Sequence, residues 1–133
     1  MTGKPGDRQL RPFRPASRLH QPKEFAAVQA SPLRVRGGCF ELRYRRNPET
    51  NALGGSARLG LVIPKRLARR AVLRNQIKRL AREAFRQALP DLPAIDVVLR
   101  LTKPPLLAKA LVDGALRQAW RREIDSLLAG LPQ

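Results

Sequence analysis

The chain has 133 residues, a hydrophobic share of 43% and a formal net charge of +17, from 27 Lys and Arg against 10 Asp and Glu. That supports one domain with a modest core, and the charge points to a polyanionic partner, nucleic acid ahead of an acidic protein. A single cysteine, Cys39, and a single histidine, His20, exclude an internal disulfide and a Cys/His zinc site, and no apolar run approaches the ~20 residues of a membrane span.

Taken in order, residues 1–17 mix Gly, Pro and Arg without periodicity and are expected to form a disordered basic arm. Residues 18–129 then read as one domain and 130–133 as a tail. A short helix is expected from about Lys23 to Gln29, ended by Ser31-Pro32, because proline disfavours helix in the residue before it. A strand piece at 33–36 precedes or pairs with the next segment. After Gly37-Gly38, Phe40, Leu42 and Tyr44 alternate with Glu41, Arg43 and Arg45, the period of a half-buried strand. Residues 47–56 read as a hairpin connection and 57–63 as the return strand, stopped by Pro64.

A helix follows, beginning between Ala68 and Val72 and ending at Leu89-Pro90. After a turn at 91–94, the near-continuous apolar run 95–101, interrupted by Asp96 and Arg100, predicts a central strand buried on both faces over part of its length. Strand, helix and strand at this spacing make a crossover with parallel strands. The last helix is expected from Pro104-Pro105 to about Ala129, with Leu107, Leu111, Ala115, Gln118, Ile124 and Leu128 along its stripe, Gly114 weakening its middle and Trp120 on or near the stripe. Trp120 reads as core, since stacking platforms come as several exposed aromatics.

Residues 65–86 are the most basic and most regular stretch. At ~100° per residue, Leu73, Ile77, Leu80, Ala81, Ala84 and Phe85 share one face, and Arg74, Asn75, Lys78, Arg79, Arg82 and Arg86 spread over the other. A solvated face ordinarily mixes signs, so that residues four apart attract; this one offers Glu83 alone against mutually repelling cations. Such a face binds a polyanion. With only Phe85 as a large aromatic and no Trp, it is poorly suited to lie on lipid.

Groups for bond-breaking are missing. There is no Gly-rich phosphate loop, no nucleophile elbow, no histidine beyond His20, and no carboxylate cluster suited to paired Mg²⁺ ions. No catalytic residue and no metal ligand is therefore assigned within the chain.

The run Arg74-Asn75-Gln76-Ile77-Lys78-Arg79-Leu80-Ala81-Arg82 resembles the Arg-Asn-x-x-Lys-Arg-x-x-Arg helix of the bacterial ribonuclease P protein subunit. The similarity extends upstream to Arg58-Leu59-Gly60-Leu61 with the paired basic residues Lys65-Arg66, downstream to the Asp-led strand at Asp96, and to Phe25 at an aromatic position of the first helix. It spans roughly 18–120 in the same element order. The resemblance implies an α/β (α+β) domain with a small mixed sheet and flanking helices in the order α-β-β-(β)-α-β-α. It also implies a left-handed β-α-β crossover like that of the second domain of a small-subunit ribosomal protein, against the right-handed default.

Proteins of that family bind a large catalytic RNA and assist endonucleolytic removal of the 5′ leader from precursor tRNA, with Mg²⁺ held mainly by the RNA. The resemblance assigns Lys65, Arg66, Arg69, Arg70, Arg74, Asn75, Lys78, Arg79 and Arg82 to the RNA subunit. It assigns the leader to a cleft between the first helix and the sheet, drawing on Phe25 and on Phe40, Leu42 and Tyr44 or their opposite-face neighbours Arg43 and Arg45. Gln29 stands where many members carry a second aromatic. Asn75 suits either RNA contact or a helix-start hydrogen bond. The expected state is a cytoplasmic monomer in a 1:1 complex with the RNA. The rival readings are a ribosome-associated or RNA-chaperone protein, and a helix-based DNA binder, which the strands flanking the basic helix disfavour.

Overall fold

The computed structural model describes residues 18–19, 21–46, 57–104 and 114–132. The elements are α1 (Pro22–Gln29), β1 (Arg34–Arg36), β2 (Phe40–Arg46), β3 (Arg58–Val62), α2 (Ala71–Ala88), a 3-10 turn (Leu89–Asp91), β4 (Ile95–Leu101) and α3 (Gly114–Ala129). They form a mixed α/β domain with one four-stranded sheet in the order β1-β2-β4-β3. β4 runs antiparallel to β2 and parallel to β3, so α2 joins two neighbouring parallel strands as expected.

The expected return strand does not pair with β2. β4 lies between them. Ile95 to Leu99 are all buried, and a strand covered on both faces places its backbone groups best with a neighbour on each edge. The hairpin connection expected at 47–56 lies outside the described residues.

Alternation divides the sheet into two unlike faces. Phe40, Leu42, Leu59, Val97, Leu99 and Leu101 form the main core with Leu73, Ile77, Ala81, Ala84 and Phe85 of α2 and Trp120, Ile124, Leu127 and Leu128 of α3. Each large side chain so buried contributes about 1.5–3 kcal/mol. The other face is covered by α1 through a much smaller cluster, Leu19, Val28 and Val98, with Phe25 and Val62 partly buried against it.

The C-terminal half of the expected α3 stripe holds, with Trp120, Ile124 and Leu128 buried, and its earlier part does not. Ala115 and Gln118 are exposed, and Leu127 joins Trp120, Ile124 and Leu128 in packing the helix. Gly114 is the first described residue of α3, and the expected earlier part of the helix, with Leu107 and Leu111, lies outside the described residues. The chain stays packed past the helix, because Leu131 is buried in the main core.

Candidate nucleic-acid interface

α2 is held by its apolar stripe, which commits its opposite face to solvent. Asn75 and Arg79 are exposed and Arg74, Lys78 and Arg82 half-buried, while Lys65, Arg66, Arg69 and Arg70 are exposed on the loop that leads into the helix. No acidic residue occupies the first turn and no side chain caps it, so the positive end of the helix dipole adds to these cations. The acid farther along, Glu83, accepts from Arg86 and Gln87, and its carboxyl is held below the usual range, first by the Arg86 hydrogen bond. Glu83 is thus neutralised on its own turn.

Arg74 has a role that the spacing did not disclose. Its Nη1 donates to the carbonyls of Ala68 (2.9 Å) and Arg69 (2.8 Å), and the amides of Leu67 and Ala68 both donate to Pro64 O at 3.1 Å. The guanidinium therefore folds the loop that displays Arg69 and Arg70. Among the described residues no side-chain bond caps the start of α2, and it is Arg74 that shapes the loop.

The second candidate surface is the face under α1. Here the strand parity decides between the two residue sets read from sequence. Arg43, Arg45, Arg58, Gly60, Asp96, Val98 and Arg100 share the α1 side, as their cross-strand pairing requires. Phe40 and Tyr44 do not belong to the cleft: Phe40 is fully buried on the opposite face, as is Leu42, and Tyr44 is half-buried against the same core. Residues one or three apart in a strand cannot share a face. Arg43 is turned toward Ser31 O (2.8 Å) and Glu41 (3.3 Å), and Arg45 Nη2 lies 4.0 Å from Asp96.

A pocket of about 130 Å³ joins the two surfaces at the β3 edge, lined by Arg18, Leu19, Phe25, Leu59, Gly60, Leu61, Lys78 and Arg82. The segment carrying Arg18 runs parallel to β3, with Leu19 N donating to Leu59 O at 2.9 Å. Burial first, and then the charge of Arg18, push the Arg82 guanidinium below its ordinary pKa. Two guanidiniums and an ammonium beside an aromatic ring make a place where an anion relieves repulsion.

Sequence reasoning passed over the polar ties that position α1. Asp96 is fully buried, and Arg58 donates to it through Nε→Oδ1 and Nη2→Oδ2, both 2.9 Å. Arg58 Nη1 donates to Glu24 Oε2 at 2.9 Å, and Arg100 Nη1 to Gln29 Oε1 at 2.9 Å. The available signal was a lone carboxylate inside an apolar strand, since a buried charge must be paired. The Asp96 hydrogen bond is the chief reason that the pKa of Arg58 is raised further.

The family model for ribonuclease P matches residues 13–124. The chain belongs to the ribonuclease P protein family. It is 42% identical over 121 residues to the ribonuclease P protein component of an Azoarcus species, covering 91% of each chain, and 40% identical over 115 residues to that of Bordetella petrii, covering 86% of this chain and 91% of the relative. The Staphylococcus aureus RNase P protein superposes with a TM-score of 0.69 at 25% identity over 85% of this chain and 93% of that one. The Thermotoga maritima RNase P protein, at 24% identity, shares the fold with a TM-score of 0.67 over 87% and 98%.

Ribonuclease P proteins are RNA-binding subunits of an endoribonuclease that works in tRNA processing, and this chain is such a subunit. The ribosome-associated or RNA-chaperone alternative finds no support in these matches. Among the described residues no helix is long and apolar enough to cross a membrane, and no three His, Cys, Asp or Glu side chains are grouped to hold a metal ion.

Proposed function

We propose that the protein divides its work between the two surfaces. α2 and the loop at 64–70 grip the catalytic RNA through Lys65, Arg66, Arg69, Arg70, Asn75, Lys78, Arg79 and Arg82, with Arg74 shaping the loop. The face under α1 takes the 5′ leader of precursor tRNA through Phe25, Arg43 and Arg45. The observation that carries this reading is the continuity of cations from the open face of α2 through Lys78 and Arg82 into the pocket beside Phe25. Planar guanidiniums suit phosphate oxygens and stack on bases, and a single strand favours cations next to aromatic surface.

Mg²⁺ supplies the hydrolytic chemistry from sites in the RNA. Among the described residues no three acidic, His or Cys side chains are grouped to hold Mg²⁺, and most of the carboxylates are engaged elsewhere: Asp96 and Glu24 by Arg58, Glu41 by Arg34, Arg36 and Arg43, Glu83 by Arg86, Asp125 by Arg121, and Glu123 by backbone amides. The protein's own part is to screen phosphate repulsion between RNA and substrate, and to hold the leader in place. One copy per RNA in the cytoplasm is the working arrangement.

Reconstitution tests the reading. The purified chain, added to a bacterial ribonuclease P RNA at low Mg²⁺, should stimulate leader removal from precursor tRNA. No stimulation at any salt concentration overturns it.

A further inference from the structure

We propose that Arg58 is a positioning residue for leader capture: its guanidinium, fixed by buried Asp96, sets where α1 stands over the sheet and so sets the shape of the pocket that Phe25 lines at the β3 edge. The inference rests on the reading that this face holds the leader. Arg58 and Asp96 are direct partners in the β3–β4 register, and the two parallel 2.9 Å bonds leave the guanidinium no freedom to rotate. Its remaining terminal nitrogen then has one direction in which to donate, and Glu24 Oε2 lies there at 2.9 Å.

Glu24 is a point of leverage because it also builds α1. Its Oε1 accepts from the backbone N of Gln21 at 3.0 Å, closing the first turn, so the carboxylate joins the start of the helix to the sheet. At the other end Gln29 accepts from Arg100 of β4. Between them the ring of Phe25 covers Gly60. An eight-residue helix is marginal alone, and this one has a small apolar cluster beneath it. Its pose is therefore dictated by these polar ties. Arg45, 4.0 Å from the same Asp96 carboxylate, places a second cation beside the fork.

The test uses holoenzyme reconstituted with the RNA subunit and two precursor tRNAs, one with a long and one with a short leader. E24Q keeps an oxygen for the Gln21 amide but loses the ion pair with Arg58; R58K keeps a charge for Asp96 but cannot form the fork. The proposal expects both variants to lose several-fold in affinity for the long-leader substrate, shown as a raised KM with kcat retained, while the short-leader substrate and RNA-subunit affinity stay as in the wild type. If R58K fails to fold, E24Q alone decides. Wild-type protein that does not distinguish the two leaders overturns the cleft reading itself. Wild-type protein that does distinguish them, with a folded E24Q that keeps the full preference or loses affinity equally for both substrates, overturns the role of Arg58 alone.

Discussion

The ring of Phe25 lies directly over Gly60, so close that a Cβ built on the glycine would fall 2.5 Å from Phe25 Cε2 and 3.0 Å from Leu19 Cδ1. The resemblance to the family drew attention to both residues separately; their contact explains why a residue without a side chain occupies the middle of β3. G60A should therefore lift the ring and with it α1, at a cost of about 1–3 kcal/mol. Urea unfolding gives that loss, and the same variant should bind long-leader substrate less tightly. An alanine accepted without change in either would mean that α1 does not bear on the sheet at this point.

Glu123 makes the corresponding link on the other side of the molecule. Its Oε2 accepts the amides of Cys39 (2.9 Å) and Phe40 (2.8 Å), fastening the start of β2 to α3. E123A leaves both amides in a half-buried site without that acceptor and should destabilise the fold by about 2–3 kcal/mol, read from the urea midpoint at constant m-value. E123Q, which keeps an acceptor oxygen without the charge, should recover part of the loss.

Lys78 and Arg79 are predicted to be phosphate contacts in the simplest sense. Replacing both with alanine should make the dependence of RNA affinity on salt shallower, by about 1–2 in the slope of log K against log salt concentration. R74A should behave differently. It removes the bonds to Ala68 and Arg69 carbonyls, so affinity falls because the loop no longer displays its arginines, and a rise in amide exchange across residues 65–70 should accompany it. An equal loss of affinity in R74A with unchanged exchange would restore Arg74 to direct contact alone.

Glu83 provides a pH prediction whose sign follows from its depressed carboxyl. The stability that it contributes is present above the ordinary glutamate range and is lost as pH falls through its lower folded value. Melting followed from neutral pH to below pH ~4 should lose stability a little more steeply in the wild type than in E83Q. The effect is small because the pair is open to solvent, with Glu83 41% exposed.

Trp120 is the chain's single tryptophan and is buried among core residues. Its emission should shift to the red on unfolding in urea and hold its wavelength when the RNA subunit binds. A shift on RNA addition would place the indole in contact with nucleic acid and contradict its packing.

Much of this architecture is legible from residue order alone, and the parts that are not share a cause. The α2 stripe, the β2 alternation and the β4 apolar run each follow from a period within one segment, and the structure agrees with all three. The position of β4 between β2 and β3 is a relation between segments, and no local period encodes it. For the same reason Phe40 and Tyr44 could be seen to share a face without its being evident that this face belongs to α2 and α3. Arg58 and Asp96 are 38 positions apart, so their pairing becomes visible only once two strands are set side by side.

The strand order also bears on how the chain comes to be folded during synthesis. β1 and β2 can pair as soon as both have emerged, whereas β3 has no strand beside it until β4 has been made. The basic helix lies between those two events in the sequence, so its apolar stripe has only an unfinished sheet to rest on when it leaves the ribosome. Domains fold as units during synthesis, so this one awaits its later strands. For that interval the strongest polycation in the protein is a nascent segment among ribosomal RNA, and arrival of β4 is the event that both closes the core and turns that helix into a defined surface.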